Sequence, residues 1–266
     1  MRYLKTGVGL GQAVTVAFLV TYGGSTPRAD ASCGATIVDD LRLEHDLACV
    51  GDGLAVGADR LRIDLNGHML AGGGTGAGIT VTGRTDVTIS GGIITGFAVG
   101  IRVSNSTDLT VKQNEFDGNP EGIDFQAGSV GNTVKDNVFI NSATRAIMMR
   151  GNVTDNDIRN NRFTGNRIGI LIFGGVGNTV KDNVVSGSTV AGIRLNVLAA
   201  GNVIKANTLT TNAAAVEFLV TTTGSAVGNE VKDNSISTNG CGVKGPTGGN
   251  ELKANLFDGN VVDSCS

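Results

Sequence analysis

No tryptophan occurs in the 266 residues, and there are only two tyrosines and two histidines. Both tyrosines, Tyr3 and Tyr22, fall in an N-terminal segment that reads as a secretory signal peptide. Arg2 and Lys5 come first, then an apolar stretch densest over residues 13–20, then Ala29 and Ala31 flanking Asp30. Cleavage is expected after Ala31. The apolar run is shorter than the ~20 residues that span a bilayer, so no membrane span is expected after cleavage; an uncleaved anchor is the alternative. The mature chain then has no Tyr and no Trp, eight Phe, and His45 and His68. A lyase that moves protons through a Tyr–His pair is excluded. The usual aromatic platforms for sugar rings are absent as well.

Charge is also sparse. Removing the leader takes three of the 21 basic and one of the 24 acidic residues, leaving 18 and 23 and a net charge of −5. The overall field therefore does not favour a polyanion, and no nucleic-acid partner is expected; only local patterning could attract one.

What is present is a repeat. Gly131-Asn-Thr-Val-Lys-Asp-Asn137 returns as Gly177-Asn-Thr-Val-Lys-Asp-Asn183 and, in variants, at 201–207, 228–234 and 249–255. Weaker copies end at Asn114 and Asn161. The final asparagines step by 23, 24, 22, 24, 27 and 21 residues. A second series of short strands is centred on Ile79, Ile101, Ile123, Ile147, Ile170, Ile193, Val216 and Val243 and keeps the same period. Short alternating runs broken by Gly, Asn and Ser indicate strands and tight turns. One such turn cannot bury its own apolar face, whereas stacked turns pair like strands in parallel about 4.8 Å apart. Val111, Val134, Ile158, Val180, Ile204, Val231 and Leu252 are expected to form one inward ladder, and Phe116, Phe139, Phe163, Val185, Leu209, Ile236 and Phe257 another. The asparagines are expected at a turn, in αL geometry, with amides bonded from coil to coil.

The fold class is thus all-β: a single-stranded right-handed parallel β-helix, a solenoid of about nine coils. Residues 1–31 are assigned to the signal peptide, 32–58 to an N-terminal cap and 59–266 to the β-helix. In an exported rod whose ends are far apart, only Cys33–Cys49 and Cys241–Cys265 are short-range disulfides. A monomer, secreted or periplasmic, is expected, with no metal ligand set and no cofactor.

The Asn-x-Val-x-x-Asn repeats and Ile63-Asp-Leu-Asn-Gly-His68 resemble the NosD-like, pectin-lyase-like family of right-handed parallel β-helix repeat proteins, over roughly residues 33–260. The resemblance implies the fold and export. It leaves the reaction open among lyases, hydrolases, epimerases, adhesins and proteins with no assigned activity. Glu121-Gly-Ile-Asp-Phe-Gln126 is similar to the Tyr-Gly-Phe/Ile-Asp-Pro-His motif of mannuronan epimerases. Only Gly122, Ile123 and Asp124 match; Glu121 and Gln126 replace the proton-transfer residues. Arg- or Lys-based β-elimination survives as chemistry, with Ca²⁺ as a cofactor that no clustered Asp motif marks.

Two outward columns are candidates for function. Lys112, Lys135, Arg159, Lys181, Lys205, Lys232 and Lys253 form a basic column across seven coils. It is either a solvated face interleaved with acids or a track for an acidic polysaccharide. The second column carries Arg102, Asp124, Arg194 and Glu217 as two acid–base pairs on neighbouring coils. These are candidate catalytic groups, since removing a proton beside a carboxylate needs that charge masked. Cross-strand salt bridges are the plainer alternative. The competing functions are a protein that binds or acts on acidic polysaccharide, as a lyase or epimerase-like enzyme, and a non-catalytic envelope scaffold.

Overall fold

A computed structural model describes residues 31–220 and 224–266; the expected signal peptide lies outside the described residues apart from Ala31. Strands and turns make up the whole of this region, without a helix. Every third strand pairs in parallel, giving three sheets of 11, 10 and 10 strands. We call them A, B and C in the order in which the chain visits them. Coil 1 starts at Ala35, coil 2 at Leu54, coil 3 at Ala77, coil 4 at Val99 and coil 5 at Glu121. Coils 6 to 10 start at Arg145, Ile168, Ala191, Ala214 and Cys241, and a last sheet A strand, Val262–Cys265, ends the stack.

The count is ten full coils rather than nine because residues 32–58 do more than cap. Ala35–Ile37 pairs with Leu54–Val56, and Leu41–Arg42 and Leu47–Cys49 pair with strands of the next coil. Three aspartates close this first coil, one at each corner. Asp40, Asp46 and Asp52 accept the backbone N–H groups of Arg62, Met69 and Ala77 at 2.9, 2.9 and 2.7 Å. Cys33–Cys49 fastens this end and Cys241–Cys265 the other, the pairing expected from the sequence.

The interior is one continuous apolar column. Both expected ladders are in register. Phe116, Phe139 and Phe163 stack with ring centroids 4.7 and 4.8 Å apart.

The asparagines differ from expectation. The αL residue is the one before each: Gln113, Asp136, Asn160, Asp182, Ala206, Asp233 and Ala254 have φ between 48° and 57°. The αL residue turns the chain, and the following Asn points inward and is buried, except Asn255 in the last coil, which is half-buried. The pattern holds at all three corners. Asn132, Asn156, Asn178, Asn202 and Asn229 line the A–B corner; Asn166, Asn212 and Asn239, with Ser142 and Ser188, line the C–A corner.

Asn161 illustrates the bonding. Its Nδ2 donates to Asn183 Oδ1 at 3.1 Å and to the carbonyls of Val134 and Arg159 at 2.9 Å. Its backbone N–H also reaches Asn183 Oδ1, at 2.9 Å. Its own Oδ1 accepts the backbone N–H and Nδ2 of Asn137, both at 3.0 Å. A buried polar group stranded without its partner costs about 1–3 kcal/mol. Asn161→Ala should therefore lose about 3 kcal/mol or more in urea denaturation, and Asn255→Ala in the last coil less than half of that. Equal losses would show that ladder continuity is not what stabilises the stack.

Candidate functional site

Sheet A is the widest face. Its strands reach six residues, as in Val99–Ser104, Arg145–Arg150 and Ile168–Phe173, while strands on B have two or three residues and on C three or four. The register runs one to one through the glycines of this face: Val99 pairs with Glu121 and Ile101 with Ile123, with Gly100 opposite Gly122 between them. A Cβ on Gly122 would lie 2.5 Å from the Ala146 carbonyl oxygen, so close approach of coils requires glycine there. Three outward positions per coil result. Coil 5 presents Glu121, Asp124 and Gln126; coil 6 Arg145, Met148 and Arg150; coil 7 Ile168, Leu171 and Phe173; coil 8 Ala191, Arg194 and Asn196.

This succession of acidic, basic and apolar coils makes a depression of about 680 Å³ over coils 5–8. Met148 and Leu171 form its floor in an apolar cluster with Ile168. Arg145, Arg150, Gln126 and Phe173 rise around it. No described residue of the long turn after Phe218 lines it.

Register places Arg102 against Asp124 and Arg194 against Glu217, on neighbouring coils as the sequence suggests. The ion pairs are distributed differently. Asp124 points outward yet is fully buried; its Oδ2 accepts from Gln126 Nε2 at 2.8 Å and from Arg150. Arg102 makes no ion pair among the described residues. Asp124 Oδ1 is buried without a hydrogen-bond partner, an uncommon state for a native carboxylate. Glu217 lies between Arg194 and Lys244 Nζ, the latter at 3.3 Å, and is nearly buried, so its charge is satisfied within the sheet. Arg145 pairs with Glu121 at 3.5 Å. Met148 and Leu171 belong to the same outward column as Asp124 and Arg194, which the spacing gives, whereas Arg145 and Arg150 escape notice in sequence. The usable signal is that Arg145 and Arg150 stand 24 residues after Glu121 and Gln126, one coil on.

On sheet B the seven basic residues stack in unbroken register from Lys112 to Lys253. Asp157 serves Arg159 at 2.9 Å and Lys181 at 3.3 Å. Glu230 serves Lys232 at 2.7 Å and Lys253 at 3.8 Å, and Glu251 serves Lys253 at 2.6 Å. Lys112, Lys135 and Lys205 make no ion pair among the described residues. Asp136, Asp182 and Asp233, which follow the column in sequence, occupy αL corners and take no part in these pairs.

The family model described as right handed beta helix region matches residues 126–262, 137 of the 266 residues. The chain belongs to this family. A second model, described as periplasmic copper-binding protein (NosD), matches residues 53–154. Among solved structures, an alginate lyase from Paenibacillus sp. str. FPU-7 is 18% identical with a TM-score of 0.66, over 83% of this chain and 91% of that one. The A-module of an Azotobacter vinelandii mannuronan C-5 epimerase is 14% identical with a TM-score of 0.55, over 88% and 79%. A tailspike protein of E. coli bacteriophage HK620, solved with a pentasaccharide, is 14% identical with a TM-score of 0.54, over 86% and 50%. At such identities the likeness is one of fold. A search of curated protein sequences finds no match.

The donors of this β-helix do not fit a copper centre. All four cysteines are in disulfides, and His45 and His68 stand with ring centroids 6.4 Å apart, His68 bonded to Asp46. Among the described residues no three His, Cys, Asp or Glu side chains are placed to hold a metal ion. The two disulfides suit an oxidising compartment, and no described helix is long and apolar enough to cross a membrane.

The Lys232 ammonium, with Lys253 beyond it, holds the Glu230 carboxyl below the ordinary glutamate range. A carboxyl depressed on folding contributes stability above its unfolded value, about 4.3, and loses it as pH falls through the lower folded value. Stability measured from pH 5 downward should therefore fall less steeply for Glu230→Gln than for the parent. Identical slopes would show that this pair is not coupled to folding.

Proposed function

We propose that the outer face of sheet A binds an acidic polysaccharide, the sugar carboxylates facing Arg145 and Arg150 and a pyranose ring lying on Met148 and Leu171. One observation carries this reading: the depression over coils 5–8 joins an apolar floor to two arginines. Over coils 4–10 the strands of sheet A hold five cations, Arg102, Arg145, Arg150, Arg194 and Lys244, against three carboxylates, Glu121, Asp124 and Glu217. This local excess runs against the acidic chain as a whole, whose net charge is −3. Arginine suits the role because its planar fork bonds a carboxylate through two N–H groups. The alginate lyase and mannuronan epimerase that share the fold agree with an acidic substrate class.

Lyase or epimerase-like chemistry is the finer form of the proposal. Asp124 supplies a carboxylate oxygen, Oδ1, with no competing donor. Oδ1 is also fully buried, so action as a general base on the proton next to a sugar carboxylate requires Arg150 to turn from Asp124 to that carboxylate and open Asp124 to the face. Secretion or export to the periplasm puts the protein where such polymers occur. The rival reading, a non-catalytic envelope scaffold, draws on the mutual pairing of Arg145 with Glu121 and of Arg150 with Asp124.

Two measurements separate them. Calorimetry with uronate oligosaccharides should show binding that Arg145→Gln weakens about tenfold, as expected for one charge-assisted hydrogen bond. Neutral oligosaccharides should bind far more weakly. Alginate, pectate and glycosaminoglycans, incubated at several Ca²⁺ levels and followed by unsaturated-uronate absorbance and by sugar epimer content, report the chemistry. Binding without turnover leaves a scaffold or adhesin, and no binding to any uronate sinks the proposal.

A further inference from the structure

We propose that the N-terminal half of sheet B is a second anion-binding face, separate from the depression on sheet A, which makes the rod bivalent for acidic polysaccharide. The choice of ligand rests on the reading given for sheet A; the site itself rests on the ion-pair map of sheet B.

Two outward columns run up this sheet. One carries the cations. The other lies two residues earlier in each strand and varies along the stack, with Thr179 and Val203 in coils 7 and 8. In coils 6, 9 and 10 it holds Asp157, Glu230 and Glu251, which neutralise Arg159, Lys181, Lys232 and Lys253. In coils 3, 4 and 5 it holds Thr88, Thr110 and Thr133, in register below the acids. Lys112 and Lys135 thus face each other about one strand spacing apart, ~4.8 Å, with hydroxyls where the later coils place carboxylates. Like charges directly opposite on a sheet destabilise it. The later coils relieve this with acids, and coils 4 and 5 do not. Asp108 and Asp136, at the flanking corners, form no ion pair with either lysine among the described residues.

The hydroxyl column matters as much as the missing acids. A threonine can donate to an anion's oxygen, whereas a carboxylate in the same place would repel the anion. Arg62 begins the hydroxyl column one coil earlier, pairing with Thr88. Together with Asp64, Ser90, Lys112 and Gln113 these residues line a depression of about 460 Å³, and the one carboxylate among them, Asp64, is paired with Arg42 at 3.6 Å. The result is a short ladder of alternating cation and hydroxyl donors that repeats once per coil. An extended chain with one carboxylate per sugar has a repeat of similar length, so successive carboxylates can meet Lys112 and Lys135. Higher up, coils 6, 9 and 10 form the neutralised part of the sheet, a solvated face, while Lys205 in coil 8 stands alone beside Val203 without the hydroxyl that accompanies Lys112 and Lys135.

The test uses a polygalacturonate oligosaccharide as probe and three variants: Lys112→Gln/Lys135→Gln, Lys232→Gln/Lys253→Gln and Arg145→Gln. All four substituted lysines lie at the surface, and unchanged circular dichroism and melting temperature confirm folding. The first double variant should lose about tenfold or more in affinity at low salt and show a flatter dependence of affinity on salt. The second should change less than twofold. High-polymer pectate should cross-link the parent protein into turbid complexes, and the first double variant should not form them. Equal losses in both double variants, or none in either, overturn the second face. Loss in Arg145→Gln with no loss in Lys112→Gln/Lys135→Gln overturns it while leaving the sheet A reading intact. Loss confined to Lys112→Gln/Lys135→Gln upholds it and removes the sheet A reading instead.

Discussion

Side-chain amides bonded to the amides one coil further on hold the corners of this molecule, and the rest of the structure depends on them. A parallel β-helix must turn its chain three times per coil without breaking the strand pairing above and below. At each turn an αL residue swings the backbone, and that bend leaves peptide groups facing the interior. The asparagine that follows satisfies them: its Oδ1 takes the N–H and amide of the coil before, and its Nδ2 fills one carbonyl of that coil and one of its own and reaches the next amide. Buried polar groups are tolerable only when fully paired. Here the pairing runs along the A–B and B–C columns and, interrupted at Ser142 and Ser188 whose buried hydroxyls are unpaired, along the C–A column, so each coil fixes the register of the next. The apolar interior, including the Phe116–Phe139–Phe163 stack, then aligns because the corners already do.

The ends of the stack follow from the same chemistry. A ladder of donors and acceptors needs a terminator. At the first coil three aspartates accept N–H groups from the coil above and reverse the direction in which the corner side chains bond. A disulfide beside them, Cys33–Cys49, restricts a coil that has a neighbour on one side only.

With the backbone fixed by its corners, the outer faces are free to vary, and their differences carry the functional argument. Sheet A is wide, its glycines let coils approach closely, and its outward grid passes from acidic to basic to apolar over three coils. Sheet B is narrow and repeats one cation per coil from coil 4 onward, with acids beside it in coils 6, 9 and 10 and hydroxyls in coils 4 and 5. Neither arrangement is needed for folding, since the inward ladders and corner amides are the same beneath both.

The repeat period, the inward ladders, the basic column and the disulfide pairs were legible in the sequence because each is a fixed-spacing pattern. A period near 23 residues with alternating apolar positions leaves few architectures open. The asparagine columns were half legible. Their coil-to-coil bonding follows from repetition, but which residue adopts αL does not, because Asn is equally at home in either role. Only the backbone assigned that conformation to the preceding residue and extended the rule to all three corners. The candidate site depended most on tertiary structure. Sequence placed Arg102 beside Asp124, which register bears out, but the partner of Asp124 is Arg150, at the far end of the next coil's strand. An ion pair is decided by where long side chains reach across neighbouring strands, and that distance does not follow from spacing along the chain. The sequence by itself determined a stacked coil with a cation on seven successive turns of one face. The tertiary structure decided which of those charges are already satisfied by a neighbouring acid and which stand without an ion pair among the described residues, because that depends on where side chains of adjacent coils reach.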